Sequence, residues 1–351
     1  MKRMVPAMGR ATARFSIFLI AIFMFALAAG CGDEEAGPAA GGRVWVIDQR
    51  KSVVNVYDYD GGLIFSVGYF PFFMKPNCVD VDRRDGSAWV LDYYANKLRK
   101  FNSDGEVLFE TSEGEGKEPL VRRGTSIAVD QETGACWVAD RSHFRVLKIG
   151  EKGSVLATVT GFRSPRAVTV VPATGDCWVA DELGRRVLKL PGKVAGAVKA
   201  DAVALATCGG FETPWYVAAD ASGGVWVLDR DAGAVVRVSA AGARGAEVTG
   251  FGFPYAAVAA RGADSVFVVD YEQGLLVAFR RKLTGKWSVG EVAELTLKGF
   301  SYPTDVELDE DGDYVFVSSS GALRRYSTAG QLLYEYTGMD SPVAAAADPG
   351  R

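Results

Sequence analysis

Few residues in this chain of 351 are placed to do chemistry. Three carboxylates stand out: Asp80, within Pro76-Asn77-Cys78-Val79-Asp80-Val81-Asp82, and Asp305 with Glu307, in the stretch from Pro303 to Asp309. Oxygen ligands of this kind hold a hard cation such as Ca2+ where a fold gathers them. The sequence has one histidine, His143, which excludes a three-histidine zinc site within one chain. No nucleophile elbow, phosphate-binding loop or metal-binding cysteine pair occurs. Two loops are unusual in composition. The first, Tyr69 to Lys75, crowds Phe70, Phe72, Phe73 and Met74 into a few residues; the second, Thr111 to Gly124, carries Glu113, Glu115, Lys117, Glu118, Arg122 and Arg123. Aromatic anchors bordered by charge make a binding surface, and Trp215 and Tyr255, each directly after a proline, are candidates for the same surface.

The elements that must position these residues repeat along the chain. A phrase of the form Trp-Val-x-Asp closes at Asp48, Asp92, Asp140, Asp181, Asp229 and Asp270, at spacings of 44, 48, 41, 48 and 41 residues. A seventh copy, Val315-Phe316-Val317-Ser318-Ser319, has lost its Asp. Before each phrase comes an apolar run usually opened by Pro, and turn formers such as Asp85-Gly86 and Thr133-Gly134 separate the two. A third run follows in constant register and a weaker fourth after a further turn. Four short antiparallel strands per unit, at a period of 41 to 49 residues, make a propeller blade. The middle strands lack apolar and polar alternation, as expected of blades covered on both faces, and valine with tryptophan suits that burial. Trp45, Trp89, Trp137, Trp178 and Trp226 share one motif position and are expected in the core.

The chain starts at a Trp-Val strand with no Pro-led strand before it. It ends with a Pro-led strand, Pro342 to Asp348, with nothing after it. The two ends complete one blade, which predicts an all-β, seven-bladed β-propeller over residues 43–348, closed by pairing of the C-terminal strand with the N-terminal strands and leaving no open edge. Repetition also filters function. The motif aspartates recur and are expected to accept backbone N–H groups; the Gly-Phe pairs at 161, 210, 250 and 299 are expected to plug gaps between blades; a residue present once is free for a task.

Pro-x-x-Val-x-Val-Asp, a Gly turn, Trp-Val-x-Asp, then Asn96-Lys97-Leu98-Arg99-Lys100-Phe101 and Asp104-Gly105 resembles the NHL repeat. That resemblance implies that the Pro-led strand is innermost and that alternate residues line an axial channel: Cys78 and Asp80, Ser126 and Ala128, Ala167 and Thr169, Tyr216 and Ala218, Ala256 and Val258, Asp305 and Glu307, Ala344 and Ala346. Asp80, Asp305 and Glu307 then become candidate ligands of a channel cation, or acceptors for buried water and hydroxyls. Streptogramin lyases share the propeller and rely on a histidine and a metal, but His143 does not match their pattern.

The N-terminus gives an address. Lys2, Arg3, Arg10 and Arg14 precede an apolar run from Phe15 to Ala29, as in a secretory signal over residues 1–30. Leu27-Ala28-Ala29-Gly30-Cys31 resembles the lipobox of bacterial lipoproteins, which implies an acylated Cys31, and residues 31–42 read as a flexible tether. Without the leader the chain has 35 Lys and Arg against 43 Asp and Glu, a formal charge of −8, which gives no support to nucleic-acid binding. Cys78, Cys136, Cys177 and Cys208 are expected as free thiols, since Cys136 and Cys177 occupy one repeat position that Ala88 and Val225 fill elsewhere. The expected function is an extracytoplasmic propeller, lipid-anchored in the bacterial cell envelope, that binds a protein, peptide or glycan through one rim. A metal-assisted lactonase or lyase working in the channel, and a structural component of an envelope assembly, are the alternatives.

Overall fold

The computed structural model describes residues 41–111, 118–259, 265–280, 282–309 and 311–348. Seven sheets share a common plan. Blade 1 pairs Pro342–Asp348 with Arg43–Asp48, then Val53–Asp58 and Leu63–Val67. Its closing register runs from Arg43 opposite Asp348 to Ile47 opposite Ala344, so the two ends of the propeller are the two inner strands of one blade. Blades 2 to 7 follow in chain order, with innermost strands Pro76–Asp82, Ser126–Val129, Pro165–Val170, Pro214–Ala219, Pro254–Ala259 and Asp305–Leu308. The predicted seven-bladed, four-stranded antiparallel propeller is therefore the observed fold. The leader, Cys31 and all of the tether but Gly41 and Gly42 lie outside the described residues, as do Glu113, Glu115 and Lys117. Among the described residues no helix is long and apolar enough to cross a membrane.

Seven apolar clusters hold the wheel together, one between each pair of neighbouring blades. Each contains the aromatic of one motif: Trp45, Trp89, Trp137, Trp178 and Trp226, then Phe267 and Phe316 in blades 6 and 7. All five tryptophans are fully buried, so the motif position serves packing. The Gly-Phe pairs behave as expected, with Phe162, Phe211, Phe251 and Phe300 buried. The fit is close: at Gly274, with φ of 64°, an added Cβ would meet the carbonyl oxygen of Phe300 at 2.4 Å.

Two additions were not legible in the repeat. In blades 4 and 6 the link from third to fourth strand makes a detour. Gly196–Lys199 pairs in parallel with Val155–Thr160 of blade 3, and Lys286–Ser288 pairs in parallel with Arg244–Thr249 of blade 5; a short helix follows each, Ala200–Val203 and Val289–Val292. Each detour covers the outer edge of the preceding blade, where unpaired backbone groups would otherwise face outward.

Candidate functional site at the mouth of the axial channel

The motif aspartates fix how each chain segment enters its blade. Asp92 accepts N–H groups of Met74 and Lys75 at 2.8 and 2.9 Å, Asp181 those of Arg163 and Ser164 at 2.9 and 2.8 Å, and Asp270 those of Gly252 and Phe253 at 2.7 and 3.1 Å. Asp48 and Asp229 do the same for Asp340 with Ser341 and for Glu212 with Thr213, and Asp140 takes the N–H of Arg122. The acceptors therefore hold the two residues before the Pro-led strand, on what is here termed the proline rim. In blade 7 Ser319 stands at this position, and its hydroxyl instead touches Ala322 O and Arg324, each at 3.4 Å.

An inner strand is an edge strand, and some of its N–H groups face the channel unpaired. Side chains of the preceding blade satisfy them. Asp80 Oδ2 accepts from Val129 N at 2.7 Å, Thr169 Oγ1 from Ala219 N at 3.3 Å, Ser126 Oγ from Val168 N at 3.1 Å, and Asp305 Oδ2 from Ala345 N at 2.8 Å. Asp80 and Asp305 thus do the work that Ser126 and Thr169 do elsewhere, and Glu307 forms an ion pair with Arg83 at 3.0 Å. The expectation that Asp80, Asp305 and Glu307 converge on a cation is corrected here: among the described residues no group of three His, Cys, Asp or Glu side chains is assembled to hold a metal ion. Their acceptor capacity is turned toward backbone N–H groups and a guanidinium.

The axial cavity has a volume of about 580 Å3, and of the fourteen residues expected to line it all but Ala256 do so. Burial dominates its electrostatics. It pushes the Asp305 carboxyl up to about 7, with Asp80 adding to the rise against two backbone hydrogen bonds, and it raises the Cys78 thiol to about 12 and the Tyr216 hydroxyl well above its ordinary value. All four thiols of the described residues are free.

A second ring of side chains lies at the mouth, one per blade: the residue after the opening proline or its equivalent. These are Val343, Asn77, Thr125, Arg166, Trp215, Tyr255 and Thr304, all facing the cavity. In blades 1, 2, 4, 5 and 6 the register shifts by one residue at this point, a bulge that turns the extra side chain toward the axis. The neutral polar members are occupied. Asn77 donates to Gly124 O at 3.3 Å, Thr125 to Pro165 O and Arg166 O at 3.4 and 2.7 Å, and Thr304 to Pro342 O at 3.3 Å, each stitching its blade to the next. Arg166, Trp215 and Tyr255 make no such stitch and are the bulky members of the ring. The Arg166 guanidinium lies 3.7 Å from the centre of the Trp215 ring, with Arg230 4.6 Å from the same ring. Trp215, Phe253, Tyr255 and Tyr271 form one aromatic cluster at centroid separations of 5.4 to 5.9 Å, extended by Tyr302 at 5.1 Å from Tyr271.

Trp215 and Tyr255 thus sit on the rim as expected, and Arg122 and Arg123 are exposed there. The loop from Tyr69 to Lys75 divides. Phe73 is fully buried between blades 1 and 2, which corrects its assignment to a binding surface, and Phe72 is half-buried with Arg99 4.3 Å from its ring. Tyr69, Phe70 and Met74 remain exposed, Tyr69 by 74% and Phe70 by 66%. Arg166 was missed, since only its alignment with Trp215 and Tyr255, one residue after a proline, points to it. His143 lies on the rim in the 3-10 turn Arg141–His143, its Nδ1 2.8 Å from Asp140 Oδ2.

No protein-family model matches the chain, and no curated protein matches it in sequence. Solved structures do match in fold. A functionally unknown protein from Desulfotomaculum acetoxidans superposes over 88% of this chain and 99% of its own, with a TM-score of 0.69 at 10% identity. A streptogramin B lyase covers 80% of this chain and 91% of its own at 0.62 and 13% identity, and virginiamycin B lyase from Staphylococcus aureus 80% and 92% at 0.62 and 12% identity. At these identities the similarity is one of fold.

Proposed function

We propose that this chain is a binding module, exported and lipid-anchored through Cys31 outside the cytoplasmic membrane, that holds a protein, peptide or glycan against its proline rim. The repeat pattern, which resembles the NHL repeat, fits a scaffold whose loops carry the specificity. One observation carries the reading: the two rims differ. Among the described residues, the exposed large apolar side chains away from the outermost strands are Tyr69, Phe70, Met74, Tyr94, Phe144, Leu183 and Tyr302 on the proline rim, and Leu205 beside the outermost strand of blade 4. Those on the proline rim surround a mouth whose three bulky residues touch one another across blades 4, 5 and 6 through their side-chain faces and make no blade-to-blade hydrogen bond. Recurring ion pairs hold both rims, Lys100 with Asp82, Lys148 with Asp130 and Arg237 with Asp220 at the far one and Arg145 with Asp140 and Arg186 with Asp181 at the proline rim, so the exposed apolar side chains are what set the proline rim apart. Apolar anchors with a charged border are the make-up of a recognition surface.

A lactonase or lyase has less support, because the channel carboxylates are tied to backbone N–H groups and to Arg83, and the histidine is tied to Asp140 on the rim. The test is co-purification of the full-length chain from detergent-solubilised envelopes. Tyr69→Ser with Phe70→Ser should reduce recovery of the partner about tenfold while leaving Tm within about 2 °C, since exposed substitutions rarely cost more than about 0.5 kcal/mol. Cys31→Ser should release the chain into the soluble fraction. Unchanged recovery of partner with the rim variant would refute the reading.

A further inference from the structure

Given a ligand on the proline rim, the geometry points to its chemistry: an organic carboxylate carrying an aromatic ring, with the carboxylate on Arg166 and the ring against the Trp215, Phe253 and Tyr255 cluster. The inference rests on the rim reading above and adds the polarity and the anchor.

The charges at the mouth lead to it. Arg141 is paired with Glu182 at 2.8 Å and Arg230 with Asp231 at 2.6 Å. Arg166, beside both, has no ion pair and no side-chain hydrogen bond among the described residues, and its Nε is buried without an acceptor. A guanidinium held this way is costly unless an anion completes it, because the indole it lies on supplies dispersion and a quadrupole but no acceptor. Burial lowers its proton affinity relative to an ordinary guanidinium, yet an arginine stays charged at neutral pH. Its backbone is fixed by Thr125, whose hydroxyl donates to Arg166 O at 2.7 Å, so the cation is presented on a rigid bulge.

The rest of the mouth defines the neighbouring group. Trp215, Phe253 and Tyr255 are mutually in ring contact, and Tyr255 stacks on Tyr271 at 5.4 Å and 26°. A flat ring joins such a cluster by offset or edge contact. A cavity of about 580 Å3 accommodates a small molecule or the last one or two residues of a chain. Asp80, farther along the same channel and bound to backbone N–H groups, opposes a second negative charge on the ligand, while Glu307 is balanced by Arg83, which favours a monoanionic carboxylate over a phosphate.

N-acetyltryptophan and N-acetyltryptophanamide differ only in the carboxylate, and ligand-observed NMR titration compares their affinities. The wild-type protein should bind the acid about tenfold or more tightly than the amide, as expected for one charge-assisted guanidinium pair. In Arg166→Gln the preference should fall to within about twofold with the amide unaffected, and Arg166→Lys should restore part of it. Inorganic phosphate should not displace the acid; displacement would overturn the choice of carboxylate. Equal binding of acid and amide by the wild-type protein would overturn the inference while leaving rim binding intact, and that comparison needs no variant to fold. Binding of neither probe would also overturn it, and the capture experiment with Tyr69→Ser and Phe70→Ser would still decide the broader reading.

Discussion

Asp181→Ala tests the claim that the motif aspartates hold the blades by capping the chain that enters them. Asp181 is fully buried and accepts from Arg163 N, from Ser164 N and from Arg186 Nε at 3.2 Å. Truncation leaves two N–H groups without an acceptor, one of them on the buried Ser164, while Arg186 keeps Asp201 at 2.7 Å. Hydrogen bonds to a charged acceptor are worth about 1.5–3 kcal/mol each, and partial rescue by water makes the pair less than additive, so the loss should be about 3–5 kcal/mol. With roughly 2 cal/mol/K of unfolding entropy per residue over about 300 residues, 1 kcal/mol corresponds to about 1.6 °C, and Tm should fall by about 5–8 °C. Ser319→Ala is the internal control. It changes the same position in blade 7, where the hydroxyl makes only long contacts of 3.4 Å, and should cost under about 1 kcal/mol or 2 °C. Calorimetry at one scan rate, with tryptophan fluorescence as a second probe, reads both. A drop below about 2 °C for Asp181→Ala, or an equal drop for Ser319→Ala, would refute the capping argument.

Two further outcomes follow from the channel and the loop. Asp305 has a folded-state pKa of about 7 against an ordinary 3.8, so the folded chain holds the proton more tightly; its contribution is fully present below about pH 4 and is lost as pH rises through 7. Thermal scans from pH 4 to 8 should show wild-type stability falling relative to Asp305→Asn, by up to on the order of 4 kcal/mol, and parallel curves would mean the carboxyl is not desolvated. Phe73→Ala should cost about 3–5 kcal/mol as a core deletion, measured as a loss of Tm, whereas Phe70→Ala should stay within about 0.5 kcal/mol.

The fold was legible because a propeller spells its packing once per blade. The valine and tryptophan runs report a strand covered on both faces, and the unmatched runs at the two ends report closure. The detours at Gly196–Lys199 and Lys286–Ser288 were not legible because each pairs with a blade other than its own, and nothing local encodes that partner. The channel was read with the right residues and the wrong duty. Alternation tells which side chains face the axis, but whether Asp80 meets a cation or Val129 N depends on the offset between neighbouring inner strands. Phe73 was misplaced for a related reason: an apolar loop looks the same in sequence whether its aromatics fold inward or outward. Arg166 needed the bulge, a one-residue shift visible only when strands are paired.

The joint in blade 1 sets the order in which the molecule is made. Arg43–Asp48 has no inner neighbour until Pro342–Asp348, the last strand of the propeller, comes to lie beside it. The nascent polypeptide therefore carries an unmatched edge until every intervening blade has been made, and the cooperative state waits for the strand that closes the ring. Removing Pro342–Asp348 should cost far more than its seven residues suggest, since it reopens the circle and strips one side from Trp45.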